Sequence, residues 1–178
     1  MREIEIKAQV SDKDRLIAAL EQRGGALSEP IKQHDEVWYE PGAPIGTIGK
    51  NVLRIRNQND TTTIFTLKQT VAALDKIEHE SEVADAEQMR AIIELMHYIP
   101  YSNITKIRRK THVGDTEVCV DDVEGLGLFI EAEKLCANDS DGDAVREELW
   151  HLFNELGISK DDQVTKGYDV LMHELGNT

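Results

Sequence analysis

Four segments of the chain carry apolar residues at the three- and four-residue spacing of amphipathic helices. In the first, Leu16, Ile17 and Leu20 share one face, and Ser11 stands where a helix N-cap is needed. The same pattern recurs three more times along the chain. The predicted helices cover residues 11–23, 85–97, 143–156 and 166–175.

Most of the other segments alternate apolar and polar residues, which is the period of a β-strand. Asn59-Asp60 and Gly114-Asp115 lie between such segments and suit tight hairpin turns. Residues 40–50 and 137–143 are rich in turn-forming residues, so we expect loops there. The predicted strands cover residues 2–10, 34–39, 51–57, 62–69, 77–83, 104–112, 115–122 and 128–134.

The predicted elements repeat once along the chain. Gln9-Val10-Ser11-Asp12 and the helix that follows resemble Glu82-Val83-Ala84-Asp85 and its helix. Three predicted strands follow each of these two helices. Two halves of strand, helix and three strands give eight strands, which is enough to close a barrel. We therefore expect an α+β fold, built as an eight-stranded antiparallel β-barrel from two pseudo-repeated halves.

The polar faces of these strands carry full charges at positions i and i+2. Glu3, Glu5 and Lys7 share one face of the first strand, and Ile4 and Ile6 share the other. The same alternation places further charges on shared faces of the later strands. These further charges are Arg54, Arg56, Lys68, Glu78, Glu80, Glu82, Lys106, Arg108, Lys110, Asp121, Glu131 and Glu133.

Two arrangements could accommodate these charged faces. In one, the faces are solvated, and each cross-strand pair contributes about 0.2–1 kcal/mol. In the other, the sheet closes with its charged faces around a lumen and its apolar faces outward beneath the helices. Like charges at i and i+2 repel each other, so such repeated pairs suit a solvated surface poorly. We therefore expect a polar, charged lumen flanked by amphipathic helices.

Length and composition narrow the class of protein. The chain has 178 residues, 40% of them hydrophobic and 30% charged, so we expect a single domain over residues 1–178. No apolar run approaches the roughly 20 residues of a spanning helix, and charged segment 1–7 does not fit a signal peptide. We therefore expect a cytoplasmic protein that has no membrane partner. A net charge of −14 also opposes binding to nucleic acid.

The mixture of acids and bases suits a small polyanion that is bound together with a metal ion. Arginine binds phosphate oxygens through paired hydrogen bonds, and lysine adds a point charge. Neighbouring carboxylates without a His or Cys cluster favour a hard cation such as Mg²⁺ or Mn²⁺. The strand faces therefore indicate a site for a triphosphate and a divalent ion.

The first charged strand resembles a known signature. Glu3-x-Glu5-x-Lys7 is similar to the ExExK motif of the CYTH superfamily, the triphosphate tunnel metalloenzymes. That family contains class IV adenylyl cyclases, thiamine triphosphatases and inorganic triphosphatases. The resemblance continues in order along nearly the whole chain and is greatest to the class IV cyclase branch. The further motifs are Leu53-Arg54-Ile55-Arg56, Thr66-Leu67-Lys68, Lys106-Ile107-Arg108, Val120-Asp121-Asp122-Val123-Glu124-Gly125-Leu126-Gly127, Phe129-Ile130-Glu131-Ala132-Glu133 and Lys166-Gly167-Tyr168-Asp169-Val170-Leu171.

The resemblance implies roles for the charged residues. The implied triphosphate contacts are Lys7, Arg54, Arg56, Lys68, Lys106, Arg108 and Lys166. The implied metal ligands are Glu3, Glu5, Asp121, Glu131 and Glu133, with Glu80 and Glu82 assisting. The implied catalytic residues are Glu3, Glu5, Lys7 and Arg108. One departure is Glu36-Val37-Trp38, which stands where family members often carry Asp-x-Tyr and leaves the role of Glu36 open.

The resemblance implies an Mg²⁺- or Mn²⁺-dependent enzyme that acts on ATP or tripolyphosphate. It favours a class IV adenylyl cyclase-like activity, which converts ATP to 3′,5′-cyclic AMP and pyrophosphate. The alternative is an inorganic, thiamine or nucleoside triphosphatase that releases orthophosphate. A third hypothesis, a non-catalytic polyphosphate- or nucleotide-binding module, requires lost metal ligands, whereas Glu3, Glu5, Glu131 and Glu133 are all present. Related proteins are often homodimers, but nothing in this sequence requires a dimer.

Overall fold

A computed structural model of the chain describes residues 2–42, 44–71, 76–137 and 139–176. The strands are β1 Arg2–Gln9, β2 Ile31–Tyr39, β3 Asn51–Gln58, β4 Thr62–Thr70, β5 Lys76–Glu82, β6 Ile99–Val113, β7 Thr116–Val123 and β8 Gly127–Cys136. The helices are α1 Lys13–Gln22, α2 Ala86–Leu95, α3 Gly142–Glu155 and α4 Tyr168–Gly176, with a 3-10 helix at Lys160–Asp162. No helix in these described ranges has the length and apolar character needed to cross a membrane.

The eight strands form a closed antiparallel barrel in the order β1-β5-β4-β3-β2-β6-β7-β8. The predicted barrel is therefore confirmed. The predicted repeat is confirmed too, because β1, α1 and β2 to β4 have the same element order as β5, α2 and β6 to β8. Asn59 and Asp60 form the turn between β3 and β4 with φ values of 53° and 57°. These left-handed conformations are those that a tight hairpin turn requires.

The chain divides into two compact units that do not coincide with the two repeats. The first unit contains Met1–Pro30 and Ile107–Thr165, and the second contains Ile31–Lys106 and Lys166–Thr178. β1 therefore belongs to the unit of β7 and β8, with which it shares a hydrophobic core.

The core of the first unit lies between three strands and two helices. Ile4 and Ile6 of β1 pack with Leu16 of α1 and Phe153 of α3, and the apolar sides of β7 and β8 complete the cluster. Because side chains alternate along a strand, the neighbours of these apolar residues face away from the helices. This alternation directs Lys7 to the inner face of the barrel.

The second unit uses the same principle on a smaller scale. Trp38, Leu53 and Ile55 form a buried cluster with Ile93 of α2. Arg54 and its β-strand neighbours at i ± 2 therefore point to the opposite face. In both units the apolar strand faces are covered by helices, as the alternating sequence pattern predicts.

Some element boundaries differ from the sequence prediction. α1 is capped by Asp12, whose side chain accepts a hydrogen bond from the Arg15 backbone N–H, so the predicted cap at Ser11 is wrong by one residue. β6 begins at Ile99 rather than at residue 104. Pro100 reads as a break in the sequence, but proline is compatible with the first residues of a strand.

Candidate functional site: two charged clusters on the strand faces

Arg108 lies at the centre of a buried ion-pair cluster in the first unit. Its Nε and Nη2 atoms donate to the two carboxylate oxygens of Asp121 at 2.7 and 2.5 Å, and Nη2 also donates to Glu131. All three side chains are buried. Burial disfavours the charged guanidinium, but the charge of Glu131 and the hydrogen bond to Asp121 outweigh it and raise the pKa of Arg108 well above its usual value. Arg108 is therefore a permanent cation held by two carboxylates.

Lys7 adds a second base to this cluster. Its Nζ lies 3.0 Å from a Glu131 oxygen and 3.5 Å from a Glu5 oxygen. The pairing of β1 with β8 explains the contact, since Lys7 stands directly opposite Glu131. The structure thus brings together Lys7, Arg108 and Glu131, which the sequence analysis assigned to the site.

A row of three carboxylates crosses the same faces of β1, β8 and β7. Glu133 stands opposite Glu5 on one side and opposite Glu117 on the other. Burial, and then the negative charges of Glu3 and Glu117, raise the pKa of Glu133 to about 8. Glu117 is also bound by Lys110, whose Nζ lies 2.5 Å from its carboxylate. A carboxyl group that burial and neighbouring negative charges keep protonated near neutral pH can exchange its proton for a cation.

The acidic residues of the first unit fit a hard cation by their chemistry. All the predicted ligands offer carboxylate oxygens, which are the donors that Mg²⁺ and Mn²⁺ prefer. Within the described ranges, no three His, Cys, Asp or Glu residues are gathered closely enough to hold a metal ion as they stand. Asp121 directs both of its carboxylate oxygens to Arg108. A metal role for Asp121 therefore stays a prediction.

Asp35 and Arg56 form the most enclosed ion pair of the second unit that we describe. Arg56 donates from Nε and Nη2 to the two carboxylate oxygens of Asp35, both at 2.7 Å. Asp35 is only 4% exposed. Burial raises its pKa, but the hydrogen bonds and charge of Arg56, with the charges of Arg54 and Lys106, outweigh burial and lower it to about 2. Asp35 is therefore an anion throughout the working pH range.

Arg54 lies two residues before Arg56 on the same face of β3 and is nearly buried. Its Nη2 donates to Glu80 at 2.8 Å and to Thr66 at 3.1 Å. Its Nε is buried and has no hydrogen-bond partner among the described residues. Burial and the neighbouring charge of Arg56 both lower the pKa of Arg54. The guanidinium thus retains an unused donor in a setting that disfavours its charge.

Lys68 is a partly buried base whose pKa is lowered by its surroundings. Its Nζ lies 2.5 Å from a Glu78 oxygen, which β4–β5 pairing places directly opposite. Burial and the charge of Arg54 nevertheless lower the pKa of Lys68 to about 8. The charge of Lys68 is therefore available near neutral pH and is lost in mildly alkaline solution.

The remaining predicted residues occupy different settings. Lys106 is buried, and its Nζ lies 4.9 Å from the centre of the Tyr168 ring. Lys166 is about half exposed and its Nζ contacts both carboxylate oxygens of Glu174, at 2.7 and 2.9 Å. The structure thus places Lys106 with the buried bases and Lys166 in a surface ion pair. Glu82 is exposed and stands opposite Ile64.

Glu36, whose role the sequence left open, lies on the helix-covered face of β2. It accepts from Nε and Nη2 of Arg90 on α2 at 2.7 and 2.6 Å. Its neighbour Asp35 takes the opposite face and meets Arg56. The sequence analysis missed Asp35 and Glu117. Period-two alternation could have found both, since Asp35 takes the strand face opposite to that of Glu36 and Trp38, and Glu117 shares a face with Asp121.

The charged strand faces and the strand order define the class of fold: a closed eight-stranded antiparallel barrel that carries buried arginines, lysines and carboxylates. The CYTH domain model matches residues 1–168 of this chain. The chain therefore belongs to the CYTH family. The resemblance of its charged strands to that family is confirmed.

Similar proteins extend over nearly the full length of the chain. A Methanocaldococcus jannaschii protein, provisionally named as an adenylate cyclase, is 31% identical over 94% of this chain and 97% of its own length. Adenylate cyclase CyaB of Aeromonas hydrophila is 24% identical over 97% of this chain and 89% of its own length.

Solved structures share the fold. A conserved hypothetical protein of Pyrococcus furiosus has a TM-score of 0.80 at 21% identity, covering 95% of this chain and 99% of the other. A provisionally named adenylyl cyclase from Hippeastrum, described as having a dominant triphosphatase activity, has a TM-score of 0.63 at 16% identity. That match covers 99% of this chain and 96% of the Hippeastrum chain.

Proposed function

We propose that this chain is a metal-dependent enzyme that binds a triphosphate, and that it acts as a class IV adenylyl cyclase-like enzyme. It converts ATP to 3′,5′-cyclic AMP and pyrophosphate. The family, and the adenylate cyclase names of two relatives that span nearly the whole chain, support this proposal.

The observation that carries the proposal is the buried guanidinium of Arg54. Arg54 donates from Nη2 to Glu80, but its buried Nε–H lacks a partner in the described part of the chain, and an unsatisfied buried donor is costly unless a further anion accepts from it. A phosphate oxygen is such an anion, and it binds arginine through short, charge-assisted hydrogen bonds. The proposed triphosphate contacts are Lys7, Arg54, Arg56, Lys68, Lys106, Arg108 and Lys166.

The acidic strand faces are the proposed metal site. The residues that would hold Mg²⁺ or Mn²⁺ are Glu3, Glu5, Asp121, Glu131 and Glu133. A bound divalent ion supplies positive charge to the phosphate oxygens and lowers the pKa of a coordinated hydroxyl group. Glu3 and Glu5 belong to the catalytic set by this role.

Lys7 and Arg108 complete the proposed catalytic set. Cyclisation places extra negative charge on the oxygens of the α-phosphate and of the leaving pyrophosphate. Both cations are fixed by buried carboxylates before substrate arrives, so stabilising that charge requires little reorganisation. The ATP must bind so that its 3′-hydroxyl lies in line with the α-phosphorus.

A triphosphatase is the second candidate. The description of the Hippeastrum protein, whose fold this chain shares, favours it. Attack on the terminal phosphorus by water uses the same bases and the same metal. The two reactions differ in which phosphorus meets the nucleophile, so placement of the substrate decides between them.

Product analysis tests these alternatives. The protein is incubated with ATP, or with tripolyphosphate, in the presence of Mg²⁺ or Mn²⁺, and the products are separated by chromatography. Cyclic AMP with pyrophosphate identifies a cyclase, and orthophosphate identifies a triphosphatase. Unchanged substrate would contradict both and leave a binding module.

The double variant Glu3→Gln/Glu5→Gln tests the metal site. We expect it to lose metal-dependent turnover and to keep its circular dichroism spectrum, since amides are poor ligands for hard cations. Glu147→Gln/Glu148→Gln is the matched control, because it removes two charges from exposed ion pairs on α3. Normal turnover by the first variant would remove Glu3 and Glu5 from the metal site.

A further inference from the structure

Asp35 is held unusually firmly for a residue to which the sequence motifs assign no role. Both of its carboxylate oxygens accept from Arg56 at 2.7 Å, and only 4% of the residue is exposed. An aspartate in this setting uses two of the five N–H donors of the guanidinium and fixes its plane. Arg56 therefore cannot turn without breaking two buried hydrogen bonds.

The strand that carries Asp35 is fixed from both of its faces. The next residue, Glu36, accepts a bidentate pair of hydrogen bonds from Arg90 of α2, at 2.7 and 2.6 Å. Consecutive side chains of a strand point to opposite faces, so β2 is bound by an arginine on each side at adjacent residues. This arrangement fixes Asp35 itself, and through it Arg56.

The first unit contains the same device with the partners exchanged. Arg108 on β6, the second strand of its repeat, is held through both oxygens of Asp121 on β7, the third strand. In the other repeat the aspartate, Asp35, stands on the second strand and Arg56 on the third. An arginine held by both oxygens of a buried aspartate thus occurs in each repeat.

We infer that Asp35 is a positioning residue that sets the orientation in which Arg56 meets the triphosphate. This inference rests on the proposed function, because it takes Arg56 as a triphosphate contact. The alternative to a positioning role is a purely electrostatic role, in which Asp35 only offsets the positive charge of Arg54, Arg56 and Lys106. The two roles predict opposite effects when the carboxylate becomes an amide.

The variant Asp35→Asn distinguishes the two roles. If Asp35 positions Arg56, kcat with ATP and Mg²⁺ falls about tenfold or more, because an amide cannot accept both N–H groups. If Asp35 only offsets charge, its removal tightens binding of tripolyphosphate, measured by calorimetry, and leaves kcat unchanged. The second result would overturn the inference. Asp60→Asn is the matched control, since it removes the same charge from an exposed pair with Lys32.

A double-mutant cycle shows that the effect passes through Arg56. Asp35→Asn is compared with the wild type, and Asp35→Asn/Arg56→Ala is compared with Arg56→Ala. Both comparisons measure kcat and the midpoint of thermal unfolding. We expect the kcat loss to disappear when Arg56 is absent. An equal loss in both backgrounds would overturn the inference.

Asp35→Glu covers the case in which Asp35→Asn does not fold. It retains the charge but moves the carboxylate by one methylene, so a positioning role predicts a fall in kcat with little change in tripolyphosphate affinity. Wild-type kcat in Asp35→Glu would overturn the inference. If the wild-type protein neither binds nor converts a triphosphate, the proposed function fails as well. If it does both and the variants match it, only the role of Asp35 fails.

Discussion

Lys68 has a charge that depends on pH in the range where enzymes are assayed. Burial and the charge of Arg54 lower its pKa to about 8. A bound polyanion stabilises the protonated amine, so binding raises the pKa of Lys68. At a pH above the pKa of the free protein, binding is therefore accompanied by protonation of this amine. Affinity for tripolyphosphate should therefore change little with Lys68 below pH 8 and decrease above it.

The variant Lys68→Met isolates this contribution. From pH 8 to pH 9 we expect the Lys68-dependent part of tripolyphosphate affinity to fall about fivefold, since the protonated fraction of the amine falls from about one half at its pKa to about a tenth one pH unit above it. Calorimetry without metal measures it as the difference between wild type and Lys68→Met. Lys32→Met, which changes an exposed lysine, serves as the control. Parallel pH profiles for wild type and Lys68→Met would contradict the prediction.

Period-two alternation predicts which residues share a strand face, and this was enough to place Lys7, Arg54 and Arg108 on the charged faces of their strands. It does not predict how each charge is partnered. The contact of Asp121 with Arg108 depends on the partners that the fold brings to β6 and β7. Asp35 was missed because motif comparison directed attention to Glu36, one residue along, and a shift of one residue exchanges the two faces of a strand.

Helix α2 shows how an element can bury only one row of its apolar residues. Ile93 is fully buried against Trp38, Leu53 and Ile55, whereas Leu95 on the same helix is 80% exposed. The helical spacing in the sequence predicted the element and its apolar side. The spacing does not give the depth to which each apolar residue of α2 is buried, because that depends on how α2 lies on the strands.

The pair Ile93→Ala and Leu95→Ala tests this difference. We expect Ile93→Ala to lower the free energy of unfolding by about 2–5 kcal/mol, because it leaves a cavity in a packed cluster. Leu95→Ala should change it by less than about 0.5 kcal/mol. Urea titration followed by circular dichroism measures both. Similar losses for the two variants would show that α2 does not pack as described.

At the scale of the whole molecule, folding concentrates buried charge that a ligand can compensate. A ligand that binds only the folded state stabilises it by about 2.7 kcal/mol at one hundred times its dissociation constant. We therefore expect tripolyphosphate with Mg²⁺ to raise the midpoint of thermal unfolding well beyond the effect of orthophosphate at equal concentration.

Arg54→Ala should lose most of this stabilisation, because it removes the guanidinium whose Nε–H has no partner among the residues that the structure describes. Arg146→Ala is the control, since that arginine pairs on the surface with Asp143. Differential scanning fluorimetry measures the shifts. Equal shifts by tripolyphosphate and orthophosphate would contradict a site built for a chain of phosphates.

The order of elements and the eight-strand barrel were predictable because each half of the repeat has a clear alternation of patterns. The division into two compact units was not. It follows from which strands pair, and the pairing of β1 with β8 joins residues from opposite ends of the barrel sequence. No local pattern encodes such a long-range partner.

That pairing has a consequence for biosynthesis. Of the eight described strands, β1 is translated first, whereas its partner β8, which faces it from Arg2↔Cys136 to Gln9↔Phe129, is translated last. Until then the nascent chain carries Ile4 and Ile6 without β8, which contributes Ile130 and Ala132 to their core. Closing so long a loop is slow, and unpaired strand edges invite aggregation. Because Phe153 of α3, which follows β8 in the chain, belongs to the same core, we expect chaperone demand during synthesis to persist until both β8 and α3 have emerged.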